Sequence, residues 1–214
     1  MSTIASMSVT EVRHPLVQHK LSYLRDRSTP TVHFRKLVEE VTLLLTYEAT
    51  KDLPSEAVEI ETPLERAPVP RISGKKVAVC PILRAGLGML DGVLTLISGA
   101  RVGFIGLYRD EDTLLPVEYY VKLPADVADR DVILLDPMLA TGNSTAHAVR
   151  LVKDAGATSV RLISIIAAPE GVDNIQRNHP DVQIVVAAID RGLNEKGFIV
   201  PGLGDAGDRL YGTK

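Results

Sequence analysis

Val132-Ile133-Leu134-Leu135-Asp136-Pro137-Met138-Leu139-Ala140-Thr141-Gly142-Asn143-Ser144 is the stretch from which the fold can be read. An apolar run ends in an acid, a short loop carries Thr-Gly-Asn-Ser, and a helical pattern begins at once. A strand, a tight loop and a helix in that order leave unpaired amide N–H groups converging at the positive end of the helix, a geometry that binds phosphate. The stretch lacks the Gly-Lys-Ser/Thr ending of a Walker A loop and the Gly-x-Gly-x-x-Gly of a dinucleotide fingerprint, so ATPase and dehydrogenase readings lose ground. Thr141 and Ser144 add hydroxyl donors for the same anion, and Asp136 is placed to accept hydrogen bonds from the vicinal hydroxyls of a sugar. Taken alone, Asp136 and Thr141 read equally well as ordinary loop and cap residues.

Outward from this stretch, runs over 76–80, 101–106, 131–135, 161–166 and 183–188 are short, apolar and rich in β-branched residues, the pattern of strands buried on both faces. Helical segments separate them, two readable over 87–97 and 144–155, the second closed by Gly156 as a C-cap. These features define an α/β fold with an open, mostly parallel sheet flanked by helices. Before it, Phe34, Leu37, Val38, Val41, Leu44 and Leu45 recur at three- and four-residue spacing, an amphipathic helix in an N-terminal helical segment. Val58-Glu59-Ile60-Glu61-Thr62 alternates like a strand with one solvated face. Between Arg109 and Leu123, a polar turn flanked by strand-like residues predicts a projecting hairpin, either an edge hairpin or a mobile flap.

A chain of 214 residues with 45% hydrophobic content suits one well-buried domain. The 24 basic against 27 acidic residues give a net charge of -3, so no global field draws the chain to nucleic acid or an anionic membrane. The single cysteine, Cys80, lies in an apolar run and reads as a buried small residue in a reducing compartment. No apolar stretch approaches the roughly 18–20 residues that span a bilayer. Residues 1–7 lack the basic flank and apolar core of a secretory signal, so a cytoplasmic protein is expected. The five histidines are scattered without ligand spacing.

The stretch 134–144 resembles the loop that binds phosphoribosyl pyrophosphate (PRPP) in type I phosphoribosyltransferases, in the form used by uracil phosphoribosyltransferases. Most of the wider fold carries a second acid where this chain has Pro137, and the uracil enzymes share Asp-Pro-Met. Asn143 departs from the family's usual glycine; Asn tolerates left-handed backbone better than most residues, so the cradle is expected to survive. Pro81-Ile82-Leu83-Arg84-Ala85-Gly86 resembles the family's pyrophosphate loop, and Arg109 matches its second PRPP-contacting arginine. Gly197-Phe198-Ile199-Val200-Pro201-Gly202-Leu203-Gly204-Asp205-Ala206-Gly207-Asp208-Arg209 is similar to its uracil-binding tail. Residues 14–21, 24–26 and 47–50 look like the family's start and are read as structural, for helix packing and subunit contact.

The resemblance implies a helical hood over about 1–70, a PRPP-binding core over about 74–190 and a uracil-binding tail over about 191–214. By the same resemblance PRPP is held by Arg84, Arg109, Asp136, Pro137, Met138, Leu139, Ala140, Thr141, Gly142, Asn143, Ser144 and Asp205. Uracil is held by Ile199, Gly204, Asp205 and Ala206, largely through backbone, with the tail's glycines permitting close approach to a flat ligand. Catalysis falls to Asp205 with Arg84 and Arg109, and Mg²⁺ binds through PRPP with no ligand set on the protein. The implied reaction joins uracil N1 to C1 of the ribose as pyrophosphate departs, giving UMP for pyrimidine salvage. Some relatives respond to GTP as an effector, and a homodimer or higher homo-oligomer is implied. The alternative is a non-catalytic, pyrimidine-responsive RNA-binding regulator on the same fold, which predicts a basic face and usually an acidic pair in the PRPP loop. This chain shows neither.

Overall fold

The computed structural model describes residues 9–74, 77–109 and 116–213, with the Arg109 side chain outside that set. The chain runs β1 (Val9–Glu11), α1 (Pro15–Arg25), α2 (Thr31–Ala49), β2 (Ser55–Glu61), β3 (Arg66–Ile72) and β4 (Val77–Leu83). A 3-10 turn over Ala85–Met89 leads into α3 (Leu90–Leu96), then β5 (Arg101–Val102), β6 (Phe104–Arg109), β7 (Pro116–Lys122) and β8 (Asp131–Leu135). It continues through β9 (Met138–Leu139), α4 (Asn143–Asp154), β10 (Ser159–Ala167), α5 (Pro169–Asn178) and β11 (Gln183–Ile189). The pair β12 (Gly192–Leu193) and β13 (Ile199–Val200) precedes α6 (Ala206–Tyr211).

The main sheet has the order β1-β11-β10-β8-β4-β6-β7, with β5 also on β4 and β9 also on β10. Its pairings are parallel except for β6 with β7. The alternation along β8 explains why the predicted strands read as unbroken apolar runs. Ile133 and Leu135 face a core built with Leu21, Phe34, Val38 and Leu45, while Val132 and Leu134 face a second core built with Val149, Val152 and Ile175. Helices α1, α2, α3 and α6 therefore cover one face and α4 and α5 the other. Each large side chain buried this way stabilises the fold by about 1.5–3 kcal/mol. Cys80 is fully buried, and desolvation pushes its thiol up to about 12, which leaves it inert as a nucleophile.

The predicted sheet and flanking helices are present, with differences that have physical causes. The run read as one strand over 101–106 is divided at Gly103 into β5 and β6, which pair β4 at different heights. The alternating segment 58–62 lies in β2 up to Glu61, with Thr62 in the turn that follows, and its partner β3 contains Pro68 and Pro70 and pairs β2 alone in a separate two-stranded hairpin. A strand with a free edge accepts prolines because no neighbour needs their missing N–H. The hairpin read between 109 and 123 has its flanking strands in β6 and β7, paired antiparallel, and its turn at 110–115 lies outside the described residues.

Candidate functional site

Strands β4 and β8 are neighbours, so Leu83-Arg84 and Leu135-Asp136 emerge side by side at their carboxyl ends, the edge at which open α/β sheets bind ligands. A cleft of about 320 Å³ opens there. Its lining includes Arg84, Asp136, Met138 and Ser144 from the loops, and Lys196, Phe198 and Asp205 from the tail.

The Asp136 carboxylate sits above the strand end and accepts hydrogen bonds from the Met138 N–H at 3.2 Å and the Thr145 hydroxyl at 3.1 Å. Burial pushes its pKa up from 3.8 to about 6, and these two bonds oppose that rise. Six residues after Asp136, Gly142 takes φ +78°, and a Cβ there would lie 2.9 Å from the Gly171 carbonyl oxygen. This position needs glycine both for its backbone angle and for its close packing on α5. Gly142 is also the N-cap of α4 and supplies no side-chain cap bond to the first turn. The first turn of this three-turn helix carries no acidic residue of its own, and its positive end stands beside Asp136.

Across the cleft, Arg84 is exposed at the start of the 3-10 turn, after a cis Leu83–Arg84 peptide. Its carbonyl accepts from the Tyr211 hydroxyl at 3.0 Å, tying the loop to α6. Gly86 packs so tightly against the end of β8 that a Cβ would come within 2.2 Å of the Leu135 carbonyl oxygen. The two loops are thus fitted to each other through backbone.

The tail is anchored from a distance. Arg25 at the end of α1 makes a two-pronged ion pair with Asp190, with N–O distances of 2.8 and 2.6 Å. The same pair holds both backbone groups of Gly202: its carbonyl accepts from Arg25 at 2.8 Å, and its N–H donates to Asp190 at 2.9 Å. Arg209 donates to the carbonyls of Leu203, Asp26 and Leu24, and stacks 4.2 Å from the Phe34 ring centroid. Asp205 begins α6 and accepts from the Asp208 N–H at 2.9 Å, so it caps a helix while facing the cleft.

Of the residues expected from the sequence, Arg84, Asp136, Pro137, Met138, Ala140, Ser144, Asp205 and Ala206 come together around this cleft. Thr141, Gly142 and Asn143 form the turn behind it, Leu139 and Ile199 bury their side chains in the cores, and Gly204 is exposed. Arg109 ends β6, and its side chain lies outside the described residues. Asn143 is the first residue of α4, so the left-handed backbone expected of it belongs to Gly142 instead. No role was expected for Lys196 at the rim or for Thr145 under Asp136, and Arg25, expected to be structural, was not expected to pair with Asp190. Arg25 and Asp190 are 165 positions apart and of types that usually lie on surfaces, so no local pattern marks them.

This arrangement of sheet and loops is that of the type I phosphoribosyltransferases. The solved adenine phosphoribosyltransferase from Trypanosoma brucei matches with a TM-score of 0.58 at 12% identity, over 92% of this chain and 90% of that one, which supports the shared fold alone. A family model described as Uracil phosphoribosyltransferase matches residues 11–213, and the chain belongs to that family. A curated uracil phosphoribosyltransferase from a Geobacillus species is 61% identical over 94% of this chain and 96% of its own length. One from Clostridium perfringens is 59% identical over 96% and 99%. The solved AQ2163 protein from Aquifex aeolicus matches with a TM-score of 0.90 at 40% identity, covering 95% of this chain and 97% of that one.

Proposed function

We infer that this member of the family transfers the phosphoribosyl group of PRPP to N1 of uracil, releasing pyrophosphate and forming UMP. The observation that carries the reading is the convergence on one cleft of the uncapped α4 loop, the Arg84 loop and the glycine-rich tail. The α4 amides and the Ser144 hydroxyl suit the 5′-phosphate, Asp136 suits the ribose hydroxyls, and Arg84 suits the diphosphate. At neutral pH a carboxyl with a pKa of about 6 is mostly ionised and suited to accept hydrogen bonds from both hydroxyls. Uracil, with two acceptor carbonyls and one N–H, is matched by tail backbone around Ile199 and Gly204 to Ala206, and cytosine would leave buried groups unpaired. Asp205 lines the cleft, and its carboxylate suits the positive charge that develops on the ribose. Arg109 is assigned to the diphosphate by its family match. Rate then comes from holding the two reactants in line and from charge stabilisation.

Among the described residues, no three His, Cys, Asp or Glu side chains form a cluster, and the cleft offers Asp136 and Asp205 as single carboxylates. Such a donor set fits a Mg²⁺ ion carried in by PRPP better than one caged by protein. When bound, the ion neutralises the diphosphate leaving group. GTP as an effector and a homodimer or higher assembly are both supported by the family resemblance. No helix among the described residues is long and apolar enough to cross a membrane. A cytoplasmic location is supported by membership of a metabolic enzyme family. The test is pyrophosphate release from purified protein, which is expected only when uracil, PRPP and Mg²⁺ are all present. Release that ignores uracil contradicts the reading, and running the assay with and without GTP decides the effector.

A further inference from the structure

We infer that Asn174, on α5 and outside the cleft, is a positioning residue that aims the phosphate loop, with Asn143 as its partner; this rests on the PRPP-binding reading of that loop. Both protons of the Asn174 side-chain amide are used on the loop: Nδ2 donates to the Thr141 carbonyl at 2.8 Å and to Asn143 Oδ1 at 2.9 Å. A carbonyl can only accept, which decides which end of the Asn174 amide faces the loop. The other end is held as well, because Asn178 Nδ2 donates to Asn174 Oδ1 at 2.6 Å and to the Asn174 carbonyl at 3.0 Å. Three asparagines thus form a ladder from the second half of α5 into the first residue of α4.

The consequence lies in peptide geometry. In a planar trans peptide the C=O and the following N–H point in opposite directions. Holding the Thr141 carbonyl toward α5 therefore turns the Gly142 N–H away from α5. Gly142, at φ +78°, adopts a conformation open to several alternatives in a free chain, so this turn gains from an external tie. A glycine at 143 would offer Asn174 no second acceptor. In this chain the departure from the family's usual residue is joined to the loop by the ladder, and the phosphate cradle is stiffened from behind by Asn174 and Asn178, which lie outside the cleft.

The experiment is a calorimetric titration of wild type, Asn174→Ala, Asn143→Gly and the double variant with PRPP in Mg²⁺, together with steady-state kinetics. Asn174→Ala is expected to weaken PRPP binding about fivefold to tenfold, the loss of hydrogen bonds that hold the loop. KM for PRPP should rise in step, with KM for uracil and kcat within about twofold of wild type, a split that general destabilisation would not produce. Asn143→Gly alone is expected to weaken binding about twofold to threefold. The double variant should be no weaker than Asn174→Ala, because the Asn143 tie runs through Asn174. PRPP affinity unchanged in Asn174→Ala, or effects of the two substitutions that multiply independently, overturns the ladder while leaving the function standing. A wild type that binds no PRPP overturns both.

Discussion

Replacing Asp136 by Asn tests the site through stability as well as activity. At about 1.4 kcal/mol for each tenfold change in proton affinity, the rise in Asp136 pKa from 3.8 to about 6 costs the folded state about 3 kcal/mol at neutral pH. The sign follows from proton binding. Between these two values the folded protein holds the proton more tightly than the unfolded chain, so this group's contribution is best below 3.8 and falls as pH rises to about 6. Asparagine is isosteric and satisfies the same neighbours, with Oδ1 accepting from the Met138 N–H and Nδ2 donating to Thr145 Oγ1. Asp136→Asn is therefore expected to be more stable than wild type by up to about 3 kcal/mol at pH 7.5, and by only about 1 kcal/mol at pH 4.5. Its phosphoribosyl transfer should fall by two orders of magnitude or more, the loss of a charged acceptor for the ribose hydroxyls. Urea denaturation at the two pH values, run without ligand, reads the stability difference. A variant less stable than wild type at pH 7.5, or one whose gain does not shrink at pH 4.5, would refute the reasoning, since the cost would not then come from a buried charge kept for binding.

Gly86→Ala forces a Cβ to within 2.2 Å of the Leu135 carbonyl oxygen, so the Arg84 loop must move. The expected cost is about 1–3 kcal/mol in urea denaturation and at least a tenfold rise in KM for PRPP. Arg25→Met keeps the aliphatic stem but strands the Asp190 carboxylate, whose side chain is 5% exposed. Because Arg25 itself is 24% exposed, we expect about 2–4 kcal/mol of destabilisation, toward the lower part of the range for a broken buried pair. KM for uracil should rise more than KM for PRPP, because the freed element is Gly202 in the tail, and steady-state kinetics with each substrate varied in turn will show it.

The central sheet was legible because its strands are covered on both faces and so carry nearly continuous apolar side chains. Elements with a thinner stake in the core left weaker marks. Helix α5 is polar over most of its length and commits chiefly Val172 and Ile175 to burial, β1 is three residues at the sheet edge, and β3 carries two prolines. The site divides the same way. The candidate site's loops that are contiguous in sequence, 81–86, 134–144 and 197–209, could be read as words. Their supports are pairs of common residues brought together only by the fold: Arg25 with Asp190, Asn174 with Thr141, Thr145 with Asp136. The expectation for Asn143 was set by which residues tolerate left-handed backbone. The fold gives that backbone to Gly142, one position earlier, and starts the helix at Asn143.

The most direct test of the central claim is product identification after incubating the protein with Mg²⁺, PRPP and, separately, labelled uracil, cytosine, orotate, hypoxanthine and adenine. A site that holds PRPP at the α4 loop and reads its base through the tail backbone predicts UMP from uracil and no nucleotide from the other four. Nucleotide formed from a purine or from orotate, or PRPP binding without transfer to any base, would contradict it.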